Sequence, residues 1–239
     1  MKKIDLLVII PARSGSKSIK NKNLANLSGK PLIYYSLKIA SKIKENNIII
    51  CSTDSEKIKK VSLKYGIDVP FLRPKKISNA NSRDIEFVNF TLEKFKEKNY
   101  VFKNGLILRP TSPLRKIKYI TKAYKIFKKD ESLDSMRAIV ETKNTPYKMW
   151  KIKNDILSPA LNSKIKEFYN APRQKLPKIY WQTGNFEFFR INFKKRIKSI
   201  SGKKIYGFKI DNDFSTDIDE WQDIKFAEYV MKKINFKIW

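Results

Sequence analysis

The sequence contains no histidine and only one cysteine, and these two absences exclude several kinds of chemistry. Without histidine there is no Ser-His-Asp triad, no Cys-His dyad and no histidine-ligated zinc site. The single cysteine, Cys51, excludes an intrachain disulfide and a cysteine-based zinc site. Any general base must therefore be a carboxylate, a water or a hydroxide held by a metal ion, and the residues alone do not choose among these.

Long apolar runs are also missing. No run approaches the ~20 residues of a membrane-spanning helix, and the longest, at 6–10, has the length of a strand. The apolar stretch near the start is too short for a secretory signal and ends in Pro11. We therefore expect a cytoplasmic protein with no membrane partner, and one unpaired cysteine fits a reducing compartment.

Acidic residues are scarce relative to basic ones. The chain has 52 lysines and arginines against 23 acidic residues, which gives a formal net charge of +29. Such a charge suggests nucleic-acid binding, but the lysines are spread over almost every segment and no RNP-type string is present. We interpret them as a solvated surface rather than a dedicated nucleic-acid site. The same charge would attract a small polyanion such as a nucleoside triphosphate.

With 239 residues, 41% of them hydrophobic, the chain is long enough for one large domain with a buried core. Strand-like and helix-like patterns alternate, which predicts an α/β fold with a mostly parallel sheet between two helical layers. The predicted strands are at 6–10, 48–51, 69–72, 105–108, 135–140, 186–191 and 205–210, and the predicted helices at 31–40, 56–65, 85–98, 117–127 and 220–237. The alternation stops between 142 and 183, where we expect either a long excursion from the sheet or a small subdomain.

Four loops that follow predicted strands carry candidate functional residues. They lie at 11–22, 52–54, 109–115 and 211–219, and ligands of open α/β sheets bind at such strand ends. The first loop combines Arg13, Lys17 and Lys22 with small residues, so that cationic side chains and backbone N–H groups can both approach an anion. It is neither a Walker A loop nor a Gly-x-Gly-x-x-Gly loop. The loop therefore indicates polyphosphate binding without identifying the nucleotide.

The segment 10–23, together with 27–33, resembles the nucleotide loop of the acylneuraminate cytidylyltransferase family. This family comprises the CMP-sialic acid synthetases and relatives that activate nonulosonic acids for surface glycans. Further segments match in the same order over nearly the whole chain: 52–54, 73–74, 110–115, 173–177 and 217–219. The resemblance implies a Rossmann-like, nucleotide-diphospho-sugar transferase-like fold in a single domain, 1–239.

The reaction that this resemblance implies is attack of the anomeric hydroxyl of a keto sugar acid on the α-phosphate of CTP, which releases pyrophosphate. Two alternatives remain open at this point. One is a nucleotidyltransferase that uses a sugar 1-phosphate or another acceptor, and the other is a basic nucleic-acid-binding protein.

The resemblance also implies roles for individual residues on the nucleotide side. Arg13 and Lys22 match catalytic positions that contact the triphosphate, and the wider CTP-binding set is Arg13, Ser16, Lys17, Lys22, Asn23, Arg73 and Ser82. Asp217 and Asp219 match a catalytic pair that holds Mg²⁺, and their alternation on an extended segment would turn both carboxylates the same way. The alternative for Asp219 is to cap the last helix.

On the acceptor side the resemblance implies contacts from Arg109, Thr111, Ser112, Lys148 and Arg173. Two departures from the family pattern fall here. Arg109 stands where relatives often have glutamine, and the segment 183–187 replaces an Asn-Gly-x-x-Tyr stretch. An arginine at 109 would be able to pair with a carboxylate, so both departures bear on which sugar acid is activated.

The segment 142–183 matches the family's dimerisation segment. The resemblance therefore implies a homodimer in which Lys148 and Arg173 approach the sugar site of the partner subunit. The alternative is a lid that folds over its own subunit.

Overall fold

The computed structural model describes residues 1–16, 18–142, 144–192 and 195–237. Strands and helices alternate along it much as the apolar pattern predicts. The strands are β1 (Lys2–Pro11), β2 (Asn26–Leu27), β3 (Lys30–Pro31), β4 (Asn47–Ser52), β5 (Tyr100–Ile107), β6 (Ser135–Glu141), β7 (Trp150–Lys153), β8 (Ile156–Pro159), β9 (Tyr180–Arg190) and β10 (Ile205–Lys209). The helices are α1 (Ile33–Ala40), α2 (Glu56–Lys64), α3 (Asp84–Glu97), α4 (Ile117–Lys129) and α5 (Trp221–Lys233).

Six strands form one central sheet in the order β10-β6-β9-β5-β1-β4. Strand β9 runs antiparallel to both of its neighbours, and the other pairs are parallel, which confirms the prediction of a mostly parallel sheet. The carboxyl ends of β4, β1, β5 and β6 therefore meet at one edge. Because β9 is reversed, its beginning lies at this same edge.

Strand β1 explains why the sheet is covered on both sides. Its apolar run has no polar interruption because alternate residues enter two different cores. Leu6 and Val8 belong to an apolar cluster with residues of α1, α2 and α4, whereas Leu7 and Ile9 pack in a second cluster that includes Phe87 of α3. The three-layer arrangement that the alternation predicts is confirmed.

Several predicted elements differ from the observed ones. Strand β5 begins at Tyr100 rather than 105, and β9 begins at Tyr180 rather than 186. Residues 69–72 do not form a strand, and the nearby contact with β4 is a single bridge between Ile50 and Asp68. Pro70 lies in this stretch and has no N–H with which to extend the pairing. The last helix ends at Lys233 rather than 237.

The excursion between β6 and β9 contains a small hairpin, β7–β8, and an aromatic cluster. The hairpin turn uses Asn154 and Asp155 at positive φ, a combination that suits tight two-residue turns. Trp150 packs on Tyr169 beneath the hairpin. Several apolar side chains of this hairpin are largely exposed to solvent: Trp150, Ile152, Ile156 and Leu157. Every helix among the described residues is too short or too polar to cross a bilayer.

Candidate active site

A cavity of about 200 Å³ opens at the edge of the sheet where the carboxyl ends of its parallel strands meet. It lies between the segments that follow β1, β4 and β5. The structure brings nine residues of interest to its walls: Arg13, Ser16, Lys22, Asn23, Arg73, Ser82, Asp84, Arg109 and Thr111. All but Asp84 belong to the predicted CTP and acceptor sets. A similar cavity of about 220 Å³ between α3 and the start of β5 contains none of the predicted residues. The first cavity is therefore the candidate active site.

The loop after β1 is fixed in place at two points. The backbone N and the Oγ of Ser14 donate to the carboxylate of Asp54, at 2.7 and 2.6 Å. The side-chain amide of the buried Asn23 donates to the carbonyl oxygen of Arg13 at 2.9 Å. Asp54 is thus a positioning residue. It belongs to the candidate loop 52–54, within which the sequence reasoning gave it no individual role. Lys17 lies outside the described residues.

Arg13 lines the cavity and contacts the segment that follows β4. Its guanidinium donates to the carbonyl oxygen of Asn79, which belongs to the turn that also contains Ser82. The Oγ of Ser82 accepts from the backbone N of Asn79 at 3.1 Å and so stabilises that turn. Arg13 and Ser82 therefore both contact Asn79, and both line the cavity.

Lys22 connects the nucleotide loop to the segment that carries the two candidate aspartates. Its Nζ lies 2.9 Å from Asp219 Oδ1 and 3.0 Å from the carbonyl oxygen of Ile218. The two segments meet because Ile19 and Ile218 share one apolar cluster. The Lys22 side chain is 11% exposed and that of Asp219 is 76% exposed. The lysine is therefore largely buried, while the carboxylate faces solvent.

The predicted alternation of Asp217 and Asp219 is present. Both side chains are exposed and flank the buried Ile218, whose backbone N donates to the carbonyl oxygen of Thr111 at 2.8 Å. Ser112 Oγ donates to Asp217 Oδ1 at 3.3 Å. The segment is thereby fastened to the loop after β5, with two carboxylates beside the cavity.

Asp219 does not cap the last helix, so that alternative is wrong. Glu220 occupies the N-cap position of α5. The carboxylate of Asp223 accepts from the backbone N atoms of both Asp219 and Glu220, at 2.8 Å each. The carboxylate of Asp219 is left to interact with Lys22.

The aspartate pair suits a metal ion that is completed by substrate oxygens. No group of three or more His, Cys, Asp or Glu side chains able to hold a metal occurs among the described residues. Mg²⁺ bound to nucleotides commonly takes only one or two protein carboxylates, together with phosphate oxygens and waters. Asp217 and Asp219 fit that requirement, since both carboxylates are exposed. Neither lines the cavity itself, but Asp219 contacts Lys22, which does.

Arg73 is held firmly on the β4 side of the cavity. Its Nη2 donates to the carbonyl oxygen of Ser52 at 2.6 Å, and its guanidinium lies 4.6 Å from the centre of the Phe87 ring. Burial lowers the pKa of Arg73 to about 10, so the side chain remains charged at neutral pH. Arg73 is therefore a fixed cation that lines the cavity, although only 6% of its surface is exposed.

Arg109 is already paired within the protein. Its Nη2 forms ion pairs with Asp84 and, at 3.2 Å, with Glu187. Burial alone would lower the pKa of Arg109, but the two carboxylates outweigh burial and raise it. Arg109 thus already pairs with two carboxylates of the chain, and its contact with the acceptor stays a prediction. Sequence reasoning did not include Glu187 among the site residues, although it ends the divergent segment 183–187.

Arg115 fastens the loop after β5 onto β9. It is 1% exposed, and its guanidinium donates to the carbonyl oxygens of Asn185 and Arg109 and to Ser36 Oγ. Burial lowers the pKa of Arg115 to about 9. Gly184 lets β9 approach the loop after β5 closely, because a Cβ at this position would lie 2.5 Å from Ser112 Oγ. Arg115 thus holds Thr111 and Ser112 in position.

Lys148 and Arg173 do not join the cavity within one chain. Lys148 ends a short 3₁₀ helix in the excursion, and Arg173 Nη2 donates to the carbonyl oxygen of Thr142 at 2.9 Å. Arg173 lines a different cavity, of about 390 Å³, at the base of the excursion.

The sequence profile of a family described as cytidylyltransferase matches residues 7–233. The chain belongs to the cytidylyltransferase family. It is therefore a nucleotidyltransferase, and the resemblance found in its motifs is confirmed. The cavity described above is the candidate active site of this cytidylyltransferase.

Named relatives agree with this assignment. The cytidylyltransferase is 30% identical to the pseudaminic acid cytidylyltransferase of Campylobacter jejuni over 239 residues, which cover 96% of this chain and 97% of the relative. It is 40% identical to the CMP-N,N'-diacetyllegionaminic acid synthase of Legionella pneumophila over 123 residues, or 52% of this chain and 53% of the relative. A solved structure of CMP:2-keto-3-deoxy-manno-octonic acid synthetase complexed with CTP superposes with a TM-score of 0.69 at 14% identity, covering 96% of this chain and 99% of that one. The last likeness confirms the predicted fold.

Proposed function

We propose that the enzyme couples CTP to the anomeric hydroxyl of a nonulosonic acid, giving a CMP-linked sugar acid and pyrophosphate. The observation that carries the proposal is a single cavity lined by a basic nucleotide loop on one side and by the loop after β5 on the other. The relatives named above support the choice of CTP and of a nonulosonic acid. Since CTP belongs to the cytoplasmic nucleotide pool, we place the enzyme in the cytoplasm.

The nucleotide loop would bind and neutralise the triphosphate. Arg13, Ser16 and Lys22 line the same cavity. Asn23 fixes the loop backbone through its hydrogen bond to the carbonyl oxygen of Arg13. Displacements at phosphorus are catalysed chiefly by positioning and by neutralising phosphate charge, which is what this set of side chains provides. Arg73 and Ser82, on the β4 side, would contact the base.

Asp217 and Asp219 would hold Mg²⁺ against the phosphates. When bound there, the ion would offset phosphate charge and make the incoming hydroxyl more acidic. Lys22 already contacts Asp219, so it would remain beside the same phosphates. Ser112 orients Asp217 through its hydroxyl.

The direct test is pyrophosphate release with Mg²⁺ and CTP across a panel of keto sugar acids. The panel would contain pseudaminic, N,N'-diacetyllegionaminic, N-acetylneuraminic and 2-keto-3-deoxy-octonic acids, and ATP, GTP and UTP would replace CTP in control reactions. We expect release with CTP that depends on one of the acids. No release with any acid, alongside release with a sugar 1-phosphate, would overturn the proposal in favour of that other acceptor.

We also propose that the enzyme is a homodimer built through the excursion 142–183. The exposed apolar side chains of the β7–β8 hairpin support this, because unpaired apolar surface of this kind is typical of interfaces. Lys148 and Arg173 would then approach the acceptor in the partner's cavity. Both side chains are cationic, and neither lines the candidate active site of its own chain.

Ile156→Asp is expected to convert the dimer to monomer in sedimentation experiments, because it places a charge on the most exposed apolar residue of the hairpin. Desolvating a new charge at an interface is costly, so the two subunits should separate. The acceptor KM should then rise by about tenfold or more while CTP affinity stays unchanged, because Lys148 and Arg173 would no longer reach the partner's cavity. The matched control is Leu63→Asp, at an exposed apolar residue of α2. A wild-type enzyme that sediments as a monomer at micromolar concentration would contradict the proposal.

A further inference from the structure

Four charged side chains form a continuous chain of ion pairs at one end of the cavity. Asp84 pairs with Arg109, Arg109 lies 3.2 Å from Glu187, and Glu187 lies 2.6 Å from Arg137. We call Asp84, Arg109, Glu187 and Arg137 the charged array. It contains two cations and two anions, so its formal charge is zero.

The strand order fixes where the array lies relative to the nucleotide loop. Arg109 follows β5, Glu187 is on β9 and Arg137 is on β6, whereas Arg73 contacts the end of β4. Strand β1, which carries the nucleotide loop, lies between β5 and β4 in the sheet. A nucleotide with its base at Arg73 and its phosphates at the loop would therefore present the reacting phosphate toward the array.

The array is not an ordinary surface ion pair. Side-chain exposure falls from 36% at Asp84 and 28% at Arg109 to 8% at Glu187 and is 19% at Arg137, so Glu187 is the most buried member. Charges are costly to bury unless each has a well-placed partner, and here each does. Arg137 is fixed further by Gln182 and Ser201.

The outer part of the array can still bind a ligand. Both ion pairs of Arg109 use Nη2, and no described residue accepts a hydrogen bond from its Nε or Nη1. Neither atom is both buried and unpaired, so both are accessible to solvent. Asp84 and Arg109 both line the cavity, which gives a ligand one acceptor and one donor side by side.

We propose that the charged array determines acceptor specificity by selecting a neutral hydrogen-bonding substituent, such as an acylamino group, over a charged one. An acylamino N–H would donate to Asp84, and its carbonyl oxygen would accept from Arg109. A cationic or anionic substituent would satisfy one member of the array at the expense of another. Glu187 is a positioning residue, because it neutralises Arg109 from behind. The inference rests on the proposed function.

The test compares one acceptor acid in two forms, with an acetamido group and with the corresponding free amine, at pH 7, where the amine is protonated. The measured quantity is the kcat/KM of the acetamido form divided by the kcat/KM of the amine form. Asp84→Asn and Glu187→Gln each remove a negative charge, so the ammonium form should be disfavoured and the ratio should rise by about tenfold. Arg109→Gln removes a positive charge, and the ratio should fall by a similar factor. The KM for CTP should change by less than about twofold in each variant.

Opposite shifts are the decisive result, because a loss of structure alone would not reverse sign between variants. The control is Glu131→Gln, at an exposed residue paired with Lys103 near the start of β5, and it should leave the ratio unchanged. A ratio that stays constant, or that moves in one direction in every variant, overturns the inference. If Glu187→Gln fails to fold, the half-exposed Asp84→Asn gives the same comparison. Wild-type enzyme that turns over no acid would overturn the proposed function as well, whereas normal wild-type turnover with an unmoved ratio would overturn this inference alone.

Discussion

Asp217→Asn is expected to lower kcat by roughly 100- to 1,000-fold while CTP still binds. The substitution keeps the size of the side chain and an oxygen that can accept from Ser112, so the local structure should persist. It removes one of the two exposed carboxylates, and with it the charge that would hold Mg²⁺ against the phosphates. Arg13, Lys22 and Arg73 remain to bind the nucleotide.

Three measurements separate these effects. Pyrophosphate release gives kcat, calorimetry gives CTP affinity, and electron paramagnetic resonance of Mn²⁺ with CTP reports the metal without requiring turnover. Asp213→Asn is the matched control, because Asp213 is a nearby carboxylate that pairs with Lys233 rather than facing the cavity. Near-normal turnover or undiminished Mn²⁺ binding in Asp217→Asn would contradict the assignment.

Arg115→Met is expected to reduce the free energy of unfolding by about 3 kcal/mol. Methionine has a similar length but donates no hydrogen bond, so the carbonyl oxygens of Asn185 and Arg109 and the hydroxyl of Ser36 would each lose a buried partner. Each such loss costs about 1 kcal/mol or more. The loop after β5 should also loosen, because Arg115 helps to attach it to β9, together with Asn185, whose Nδ2 donates to the carbonyl oxygen of Leu114.

Urea denaturation followed by circular dichroism would measure this loss of stability. The control is Arg196→Met, at an exposed guanidinium that pairs with an exposed glutamate, Glu93, and we expect a change within about 0.5 kcal/mol. Equal unfolding midpoints for Arg115→Met and the wild type would show that this buried arginine does not hold the loop.

The parts of the site that sequence predicted are those that follow directly from strand ends. The uninterrupted run at 6–10 predicted a strand buried on both faces, and ligands of open α/β sheets bind beyond the carboxyl ends of such strands. Arg13 and Lys22 are brought to the cavity for this reason. The exposure of Asp217 and Asp219 followed from simple alternation around an apolar residue.

The parts that sequence did not predict depend on which strands become neighbours. Arg109 pairs with Glu187 because β9 returns antiparallel beside β5, and the apolar pattern of a strand does not specify its direction or its neighbours. The capping of α5 was equally hidden, since Asp219, Glu220 and Asp223 are all acceptable capping residues and only the backbone geometry selects among them. The predicted strand at 69–72 failed because one proline outweighed a short apolar pattern.

The reversed direction of β9 has a consequence for how enzymes of this architecture can diverge. Because β6 ends and β9 begins at the same edge of the sheet, the chain between them needs no crossover and has no required length. Insertions and deletions there would leave strand order, core and nucleotide loop unchanged, while replacing the surroundings of the acceptor. Acceptor chemistry and subunit association can therefore evolve together in one segment, separately from the chemistry at the phosphates.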